Sequence, residues 1–222
     1  MPKAPHQFAA LTHYFFNQSA TTVARQLLGM VVCRYIQGQW LYAQIIETEA
    51  YGGQMDHASH AIKKTPTRAA LWQPAGTLYM YYARGGDSLN ISTKTPGAAV
   101  LIKSGRVFQP DPTMLALMQY YNPLPGGRVR QSCYLLSGQT LFCRSLGLNV
   151  KDWNGQQFND DFFIVDLGHA PDTIIQTTRL GIPAHRDQGS LNRFIDMRYA
   201  SYCSKNPLKQ RKWVEYRILS QN

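Results

Sequence analysis

The sequence contains only four cysteines, few acidic residues and no long apolar run. Its cysteines are Cys33, Cys133, Cys143 and Cys203, which are widely spaced and include no C-x-x-C pair. This spacing predicts reduced thiols of a cytosolic protein rather than a disulfide framework or a zinc ribbon. Nowhere do about 18 apolar residues follow one another, and the first residues contain no apolar segment of the kind found in signal peptides. We therefore expect neither a membrane span nor an export signal.

Several common site motifs are also missing. The sequence has no G-x-G-x-x-G and no G-x-x-x-x-G-K-[ST], so nucleotide cofactors have no support. The G-x-S-x-G nucleophile elbow and the H-x-E with P-C-x-x-C signature of zinc deaminases are absent as well. Asp56, His57 and His60 could converge on a metal, but no fourth ligand lies at a defined spacing. The sequence therefore predicts no cofactor and no metal.

The shortage of acidic residues leaves a large positive charge. Twenty-three Lys and Arg residues oppose 13 Asp and Glu residues, which gives a formal net charge of +10 and a pI of about 9.6. A charge of this size predicts polyanionic partners, with nucleic acid first and an anionic membrane second. With 222 residues, 44% of them hydrophobic, the chain is long enough to bury a core.

The spacing of apolar residues and turn signals predicts short strands mixed with helices. Helices are expected over 19–29, 111–122 and 137–147, and strands over 30–36, 40–51, 78–83, 89–92, 98–103, 162–167, 173–180 and 193–197. No internal repeat or shift in composition divides the chain. We expect one mixed α+β domain over 1–222, with a loosely held arm at 1–11 and a basic tail at 205–222.

One predicted strand carries two carboxylates in an apolar setting. The run from Ile45 to Tyr51, I-I-E-T-E-A-Y, is followed by two glycines. A period of two places Ile45, Glu47, Glu49 and Tyr51 on one face, with the carboxylates about 6.5 to 7 Å apart. Burial and mutual repulsion of paired carboxylates are how proteins make one of them a general base near neutral pH. The alternative is that both are edge-strand residues paired with Lys or Arg side chains.

A second predicted strand is rich in tyrosine. Residues 78–83 place Tyr79 and Tyr81 on one face. There they either join the core, which is the commoner use, or offer flat faces on which a base stacks for about 1 to 3 kcal/mol each. A carboxylate base, an aromatic slot and cations for phosphate are what an enzyme needs to extrude one nucleotide and attack its sugar with water. Their coincidence on a basic chain favours that use.

These residues carry a family resemblance. The run 45–51, with residues 56–60, 65–66, 76–81 and 89–92, resembles the alkyladenine family of DNA-3-methyladenine glycosylases. Flanking matches at 15–29, 99–102, 136–138 and 179–182 follow in the same order. The resemblance therefore extends over most of the chain.

The resemblance implies a single mixed domain with a curved, largely antiparallel sheet and several short helices. It implies a monofunctional enzyme without lyase activity, which acts as a monomer on double-stranded DNA in base excision repair. The bond hydrolysed would be the N-glycosidic bond of alkylated or deaminated purines, namely 3-methyladenine, 7-methylguanine and also hypoxanthine or ethenoadenine. It implies no metal or other cofactor, no membrane partner, and a place in the bacterial cytosol or nucleoid.

Carried over by position, Glu49 is the general base that activates water for attack on C1′. The main-chain carbonyl of Ile182 would also hold this water. Glu47 is expected to be structural, although periodicity treats it like Glu49. Where members of the family have an arginine that helps to hold the water, this chain has Lys103, which keeps the charge and loses the planar fork.

The resemblance also implies which residues contact DNA. The slot around the flipped base would be formed by Tyr51, His60 and Tyr81, with Asn90 against the base to disfavour the exocyclic amino group of guanine. The family's Tyr-Gly-Met turn, whose tyrosine replaces the flipped nucleotide, corresponds to a shorter turn at 83–87, so the candidate wedge is Tyr82 or Arg84.

The candidates for phosphate contacts are cations in three places. Lys63, Lys64 and Arg68 lie in the polar loop, Arg128 and Arg130 in a basic linker, and further cations in the tail. Two alternatives stay open. One is a non-catalytic relative that binds lesions, supported by Lys103 and the altered turn; the other is a hydrolase of free nucleosides, which the charge of +10 disfavours.

Overall fold

In a computed structural model, one antiparallel sheet organises the protein. The structure describes residues 3–83, 85–183, 185–187, 189–210 and 214–220. Within them the sheet has nine strands: β1 Val31–Ile36, β2 Gln39–Gly52, β3 Leu78–Ala83, β4 Gly86–Ser92, β5 Ala98–Val107, β6 Phe162–Val165, β7 Thr173–Thr177, β8 Arg193–Asp196 and β9 Tyr216–Ser220. The predicted α+β class with a largely antiparallel sheet is confirmed.

The longest strand, β2, lies at the centre of the sheet. The strands are ordered β3-β4-β5-β2-β8-β7-β9, and β1 pairs with both β2 and β6. β5 lies along one side of β2, while the other side is shared by β1 over the first half and β8 at 47–49. The register between β2 and β5 shifts on both sides of Glu47. The strand with the two glutamates is therefore central and irregular, and not an edge strand.

Short helices connect and cover the strands. The α-helices are α1 His13–Phe16, α2 Ala20–Gln26, α3 Pro112–Tyr121, α4 Gln139–Ser145 and α5 Val150–Trp153. Short segments of 3-10 helix lie at Pro5–Gln7, His60–Ile62, Pro66–Trp72, Pro125–Gly127, Ser132–Tyr134, Met197–Tyr202 and Pro207–Lys209. Helices α2 and α3 begin at their predicted caps. The Ser19 hydroxyl accepts from the Thr22 amide, and the Asp111 carboxylate accepts from the Met114 amide just before Pro112. No helix in the described part of the chain is long and apolar enough to cross a membrane.

The main core lies where α2 packs on β2 and β5 and where α4 packs on β4 and β5. Leu27, Ile102 and Phe142 are completely buried there. A smaller apolar cluster gathers Leu71, Tyr79 and Ala99 with two alanines. This smaller cluster backs the cavity described below.

Two terminal segments differ from the sequence prediction. Residues 3–11, predicted as a loose arm, lie against the sheet: Ala10 bridges to Val165, and His6 stacks on Trp40 with ring centroids 4.7 Å apart. The tail contains strand β9, which pairs with β7 and was missed because its side chains are mostly exposed. A strand that joins a sheet by its backbone leaves little apolar pattern in the sequence.

Candidate active site

Glu49 is completely buried, and three separate parts of the chain contact its carboxylate. The Tyr51 hydroxyl donates to Oε2 at 2.8 Å, and the Leu180 amide donates to Oε1 at 3.0 Å. The Lys103 ammonium lies 3.4 Å from Oε1. Strands β2 and β5 and the loop after β7 thus converge on one side chain. A carboxylate held by this many donors has a fixed position.

Glu47 has different surroundings, although it is only two residues away. Arg193 Nε donates to its Oε1 at 2.6 Å, and the Ser204 amide donates to Oε2 at 2.9 Å. The Ser104 hydroxyl also donates to Oε2. Glu47 and Arg193 are both buried, and neither lines the neighbouring cavity. The geometry of Glu47 is that of a buried structural ion pair.

A cavity of about 230 Å³ opens next to Glu49. Ligand pockets for drug-sized molecules measure about 300 to 1,000 Å³, so this cavity suits a smaller planar group such as one heterocyclic base. Its walls include most of the residues that the sequence assigned to the site: Tyr51, His60, Tyr81, Asn90, Lys103 and Ile182. Glu49 lies behind this wall, in contact with Tyr51, Lys103 and Leu180, which themselves line the cavity.

Aromatic rings form one wall of the cavity. The ring centroids of His60 and Tyr81 lie 4.5 Å apart and those of Tyr79 and Tyr81 lie 5.8 Å apart. His60 Nδ1 and the Tyr79 hydroxyl share a hydrogen bond of 2.9 Å. Sequence reasoning found Tyr79 by its alternation but assigned it no place in the site. Its hydroxyl holds the His60 ring, which is a role that no local pattern records.

Burial keeps these rings neutral. Burial, together with Arg68 and Arg186, lowers the pKa of His60 below its usual 6.5, so the imidazole is neutral at pH 7. Burial raises the pKa of Tyr79 to about 12. For Tyr51, burial and then the charge of Glu49 raise the pKa well above 10. The aromatic wall therefore offers uncharged faces and hydroxyl donors, while the charged groups Lys103 and Arg186 lie elsewhere in the cavity lining.

Asn90 is buried on β4 and lines the same cavity. Its Nδ2 donates to the main-chain oxygen of Tyr79 at 3.1 Å, across the β3–β4 pair. This bond fixes the plane of the side-chain amide. The cavity therefore has a polar group of defined orientation among its aromatic walls.

Arg179 links the loop after β7 to the rest of the site. Its guanidinium donates to Asp56 at 2.5 and 3.0 Å, to Asp187 at 2.9 Å and to the main-chain oxygen of Ala50 at 2.9 Å. It also lies over the Tyr51 ring, 4.7 Å from the centroid. Although burial opposes it, these hydrogen bonds lower the pKa of Asp56. Sequence reasoning included Arg179 in a matched segment but gave it no role.

Two of the three residues considered as metal ligands are hydrogen-bonded to other side chains. Asp56 is bound to Arg179, His60 is bound to Tyr79, and His57 is exposed. Among the described residues no group of three or more His, Cys, Asp or Glu side chains is placed to share an ion.

The candidate DNA contacts lie around the cavity or outside the described residues. Tyr82 is 68% exposed near the tip of the β3–β4 hairpin, and Lys63 and Lys64 are exposed. Arg68 instead donates to the main-chain oxygen of His60 at 3.0 Å, so it braces the loop. Arg84, the other candidate wedge, lies outside the described residues.

Two further residues of the cavity wall gave no signal in the sequence. Gln139, the first residue of α4, accepts a hydrogen bond of 2.8 Å from Lys103. Arg186 is exposed at the cavity and donates to the main-chain oxygen of His57 at 2.9 Å. Both lie far along the chain from their partners, so only the fold brings them to the site.

Comparison with known proteins agrees with this geometry. The family described as methylpurine-DNA glycosylase matches residues 14–200. A protein of Pseudomonas savastanoi pv. phaseolicola is 47% identical over 206 residues, which cover 91% of this chain and 92% of its own length. One from Listeria welshimeri is 33% identical over 175 residues, covering 77% and 80%. Both bear the provisional name 3-methyladenine DNA glycosylase. The match includes the residues that build the cavity from Tyr51 to Ile182, and the chain belongs to the methylpurine-DNA glycosylase family.

Proposed function

We propose that the chain is a monofunctional glycosylase that removes alkylated purines from double-stranded DNA by hydrolysis. The substrates proposed are 3-methyladenine and 7-methylguanine, followed by hypoxanthine and ethenoadenine. One observation carries the proposal: the buried Glu49 carboxylate contacts three groups that themselves line a cavity with aromatic walls. A base and a slot for the leaving group are the two parts that the reaction requires.

In the proposed reaction Glu49 accepts a proton from a water molecule as the water oxygen attacks C1′ of the sugar. The bond between C1′ and the purine nitrogen breaks, and its electron pair leaves with the base. Lys103 helps to hold the water, and the main-chain carbonyl of Ile182 accepts its second proton in a hydrogen bond. The fixed position of Glu49 supports this role, since a general base acts only from a defined distance.

The uncharged aromatic wall of the cavity favours lesions that carry positive charge. A purine methylated at N3 or N7 already carries positive charge and leaves as a neutral base, so no acid is needed. The wall supplies tyrosine faces, which attract cations by about 0.5 to 2 kcal/mol. Hypoxanthine and ethenoadenine need a proton as they leave, and a neutral His60 with a lowered pKa is a weak source of one. We therefore place the neutral lesions second.

Outside the cavity, the exposed Tyr82 is the proposed wedge among the described residues, and Lys63 and Lys64 are proposed to contact phosphates. The net charge of +10 supports a duplex as partner rather than a free nucleoside. The protein is proposed to act as a monomer, since one chain contributes every residue named above.

The test is release of purines from methylated duplex DNA by the unchanged chain and by Glu49→Gln. We expect the unchanged chain to release 3-methyladenine without cutting the strand, and Glu49→Gln to release none. Glu215→Gln is the matched control, because Glu215 does not line the cavity. Tight binding of lesion DNA without release would instead favour the non-catalytic relative, and release by Glu49→Gln would remove Glu49 as the base.

A further inference from the structure

A chain of polar contacts leads from Glu49 along the cavity lining to Gln139 and then to Ser88, neither of which has an assigned role. Lys103 Nζ lies 3.4 Å from Glu49 Oε1 and donates to Gln139 Oε1 at 2.8 Å. Gln139 Nε2 then donates to the hydroxyl of Ser88 at 2.7 Å. Ser88 is completely buried on β4, so the far end of this chain of contacts is fixed in the sheet.

The Lys103 ammonium lies closer to Gln139 than to Glu49. Charge-assisted hydrogen bonds between an ammonium and a carboxylate measure about 2.7 to 2.9 Å. The contact with Glu49 is longer than this, while the bond with the neutral amide of Gln139 lies within it. The ammonium is therefore held toward Gln139, although opposite charge attracts it to Glu49.

The orientation of the Gln139 amide follows from its partners. An ammonium has three donors and no acceptor, so the oxygen of the amide must face Lys103. The amide nitrogen then faces Ser88, whose hydroxyl accepts. Gln139 begins α4, which packs on β4 and β5, the strands that carry Ser88 and Lys103. The tether is thus built on three packed elements and not on a mobile loop.

We propose that Gln139 is a positioning residue, which holds the Lys103 ammonium back from Glu49 so that Glu49 Oε1, which already accepts from the Leu180 amide, keeps room to accept a proton from water. The inference rests on the proposed role of Glu49 as the base. Without an acceptor at 139, Lys103 would close on Glu49 as a tight ion pair. A carboxylate closed in this way has less room for water, so the chemical step slows while DNA binding does not.

The experiment removes the acceptor for Lys103, and with it the amide nitrogen that donates to Ser88. Gln139→Met keeps the length of the side chain without its oxygen, and Gln139→Glu restores an oxygen at the same place. The readouts are single-turnover release of 3-methyladenine from a lesion duplex with enzyme in excess, and the Kd for the same duplex. We expect Gln139→Met to slow release by about 10- to 100-fold, the size of a misplaced reacting group, with Kd unchanged. Gln139→Glu is expected to restore the rate.

A second background shows whether Gln139 acts through Lys103. In Lys103→Met the ammonium is gone, so adding Gln139→Met should cause no further loss, which is strong non-additivity. Gln131→Met, at an exposed glutamine that does not line the cavity, is the matched control and should keep the unchanged rate. Thermal unfolding of each variant checks that it is folded in the assay. If Gln139→Met is unfolded at the assay temperature, Ser88→Ala removes the contact at the other end of Gln139. Its rate of base release must fall in the chain that keeps Lys103 and must not fall further in Lys103→Met.

The inference is overturned if Gln139→Met releases base as fast as the unchanged chain, or if its loss persists in the Lys103→Met background. Failure of the proposed function looks different. In that case Glu49→Gln would release base like the unchanged chain, or no chain would release any. The two failures are therefore distinguished within one set of variants.

Discussion

Glu47 and Glu49 are two residues apart, so the period of a strand assigns them the same face. Their hydrogen-bond partners in the structure differ. Glu47 is matched by one buried arginine and two further donors, so its charge is used within the fold. Glu49 faces a lysine at 3.4 Å and lies behind a cavity wall. A closed ion pair stabilises a fold only while both partners remain, whereas a carboxylate with an incompletely closed partner can still take a proton.

This difference predicts a loss of stability for Glu47→Gln. The substitution leaves the Arg193 guanidinium buried without its counter-charge, and breaking a buried pair costs about 3 to 5 kcal/mol. Urea unfolding at neutral pH, with Glu215→Gln as the control, measures it. An unchanged free energy of unfolding together with a complete loss of base release would contradict the structural role of Glu47.

A second prediction at the residue scale concerns His60. Its pKa in the folded chain is lowered by burial and then by Arg68 and Arg186, while the unfolded chain keeps the ordinary 6.5. The unfolded state therefore binds the proton first as the pH falls. The stability that His60 contributes is complete above 6.5 and is lost as the pH falls through the folded pKa.

We expect His60→Asn to lose less stability than the unchanged chain between about pH 7 and pH 5, the range in which histidine titrates. Unfolding by urea at both pH values gives the comparison, and an NMR titration of the His60 ring gives its pKa directly. A ring that titrates at or above 6.5 would show that burial does not control it. Asp56, whose pKa is also lowered, contributes equally in both chains and cancels.

At the scale of elements, the loop between β7 and β8 shapes the site. Arg179 fixes this loop to Asp56 and also binds Asp187 within the loop, and the next residue, Leu180, donates its amide to Glu49. The same loop carries Ile182 in the cavity wall. Because one guanidinium serves two carboxylates and a carbonyl, the loop depends on the planar fork of arginine.

Arg179→Lys tests this dependence. Lysine keeps the charge but cannot hold both carboxylates, so we expect the Leu180 amide to exchange hydrogen faster and base release to slow by about 10- to 100-fold. The matched control is Arg144→Lys, at an exposed arginine that donates to the main-chain oxygen of Gly85. Unchanged exchange at Leu180 with slower release would show that Arg179 acts on the substrate instead of on the loop.

Elements were predictable where their signal is local. Helix α3 lies one residue inside its predicted limits at each end, because Asp111 caps it and Pro112 starts it. Strand β5 continues to Val107, past the predicted end at Lys103, because that lysine is buried and paired rather than a terminal cation. A charged residue can lie inside a buried strand when the fold supplies a partner for its charge. The sequence alone does not show that partner.

The site was predictable in part for the same reason. Tyr51 and Glu49 share a strand face, and alternation found both. The contacts of Lys103 with Gln139 and of Arg179 with Asp56 join positions 36 and 123 residues apart. Such contacts follow from the order of the strands, which no local spacing contains. The family resemblance supplied the proposed base and slot, while the residues that hold them came from the fold.

At the scale of the molecule, the net charge of +10 determines how binding to DNA depends on salt. Each phosphate neutralised by a cation releases counterions, so log K falls with log salt by about 0.9 per contact. Lys63 and Lys64 are exposed in the loop that begins beside His60 of the cavity. If both contact phosphate, removing them weakens binding to every duplex, with or without a lesion.

We expect Lys63→Ala with Lys64→Ala to reduce the slope of log K against log salt by about 2, because each lysine accounts for about one contact. Single-turnover release at saturating enzyme should stay at the unchanged rate, since neither lysine lines the cavity. Lys3→Ala, in the N-terminal segment beside β6, is the control and should leave the slope unchanged. Lys3→Ala removes one charge where the double variant removes two, so a drop half as large in the control would assign the effect to the overall charge, and the loop would then hold no particular phosphate.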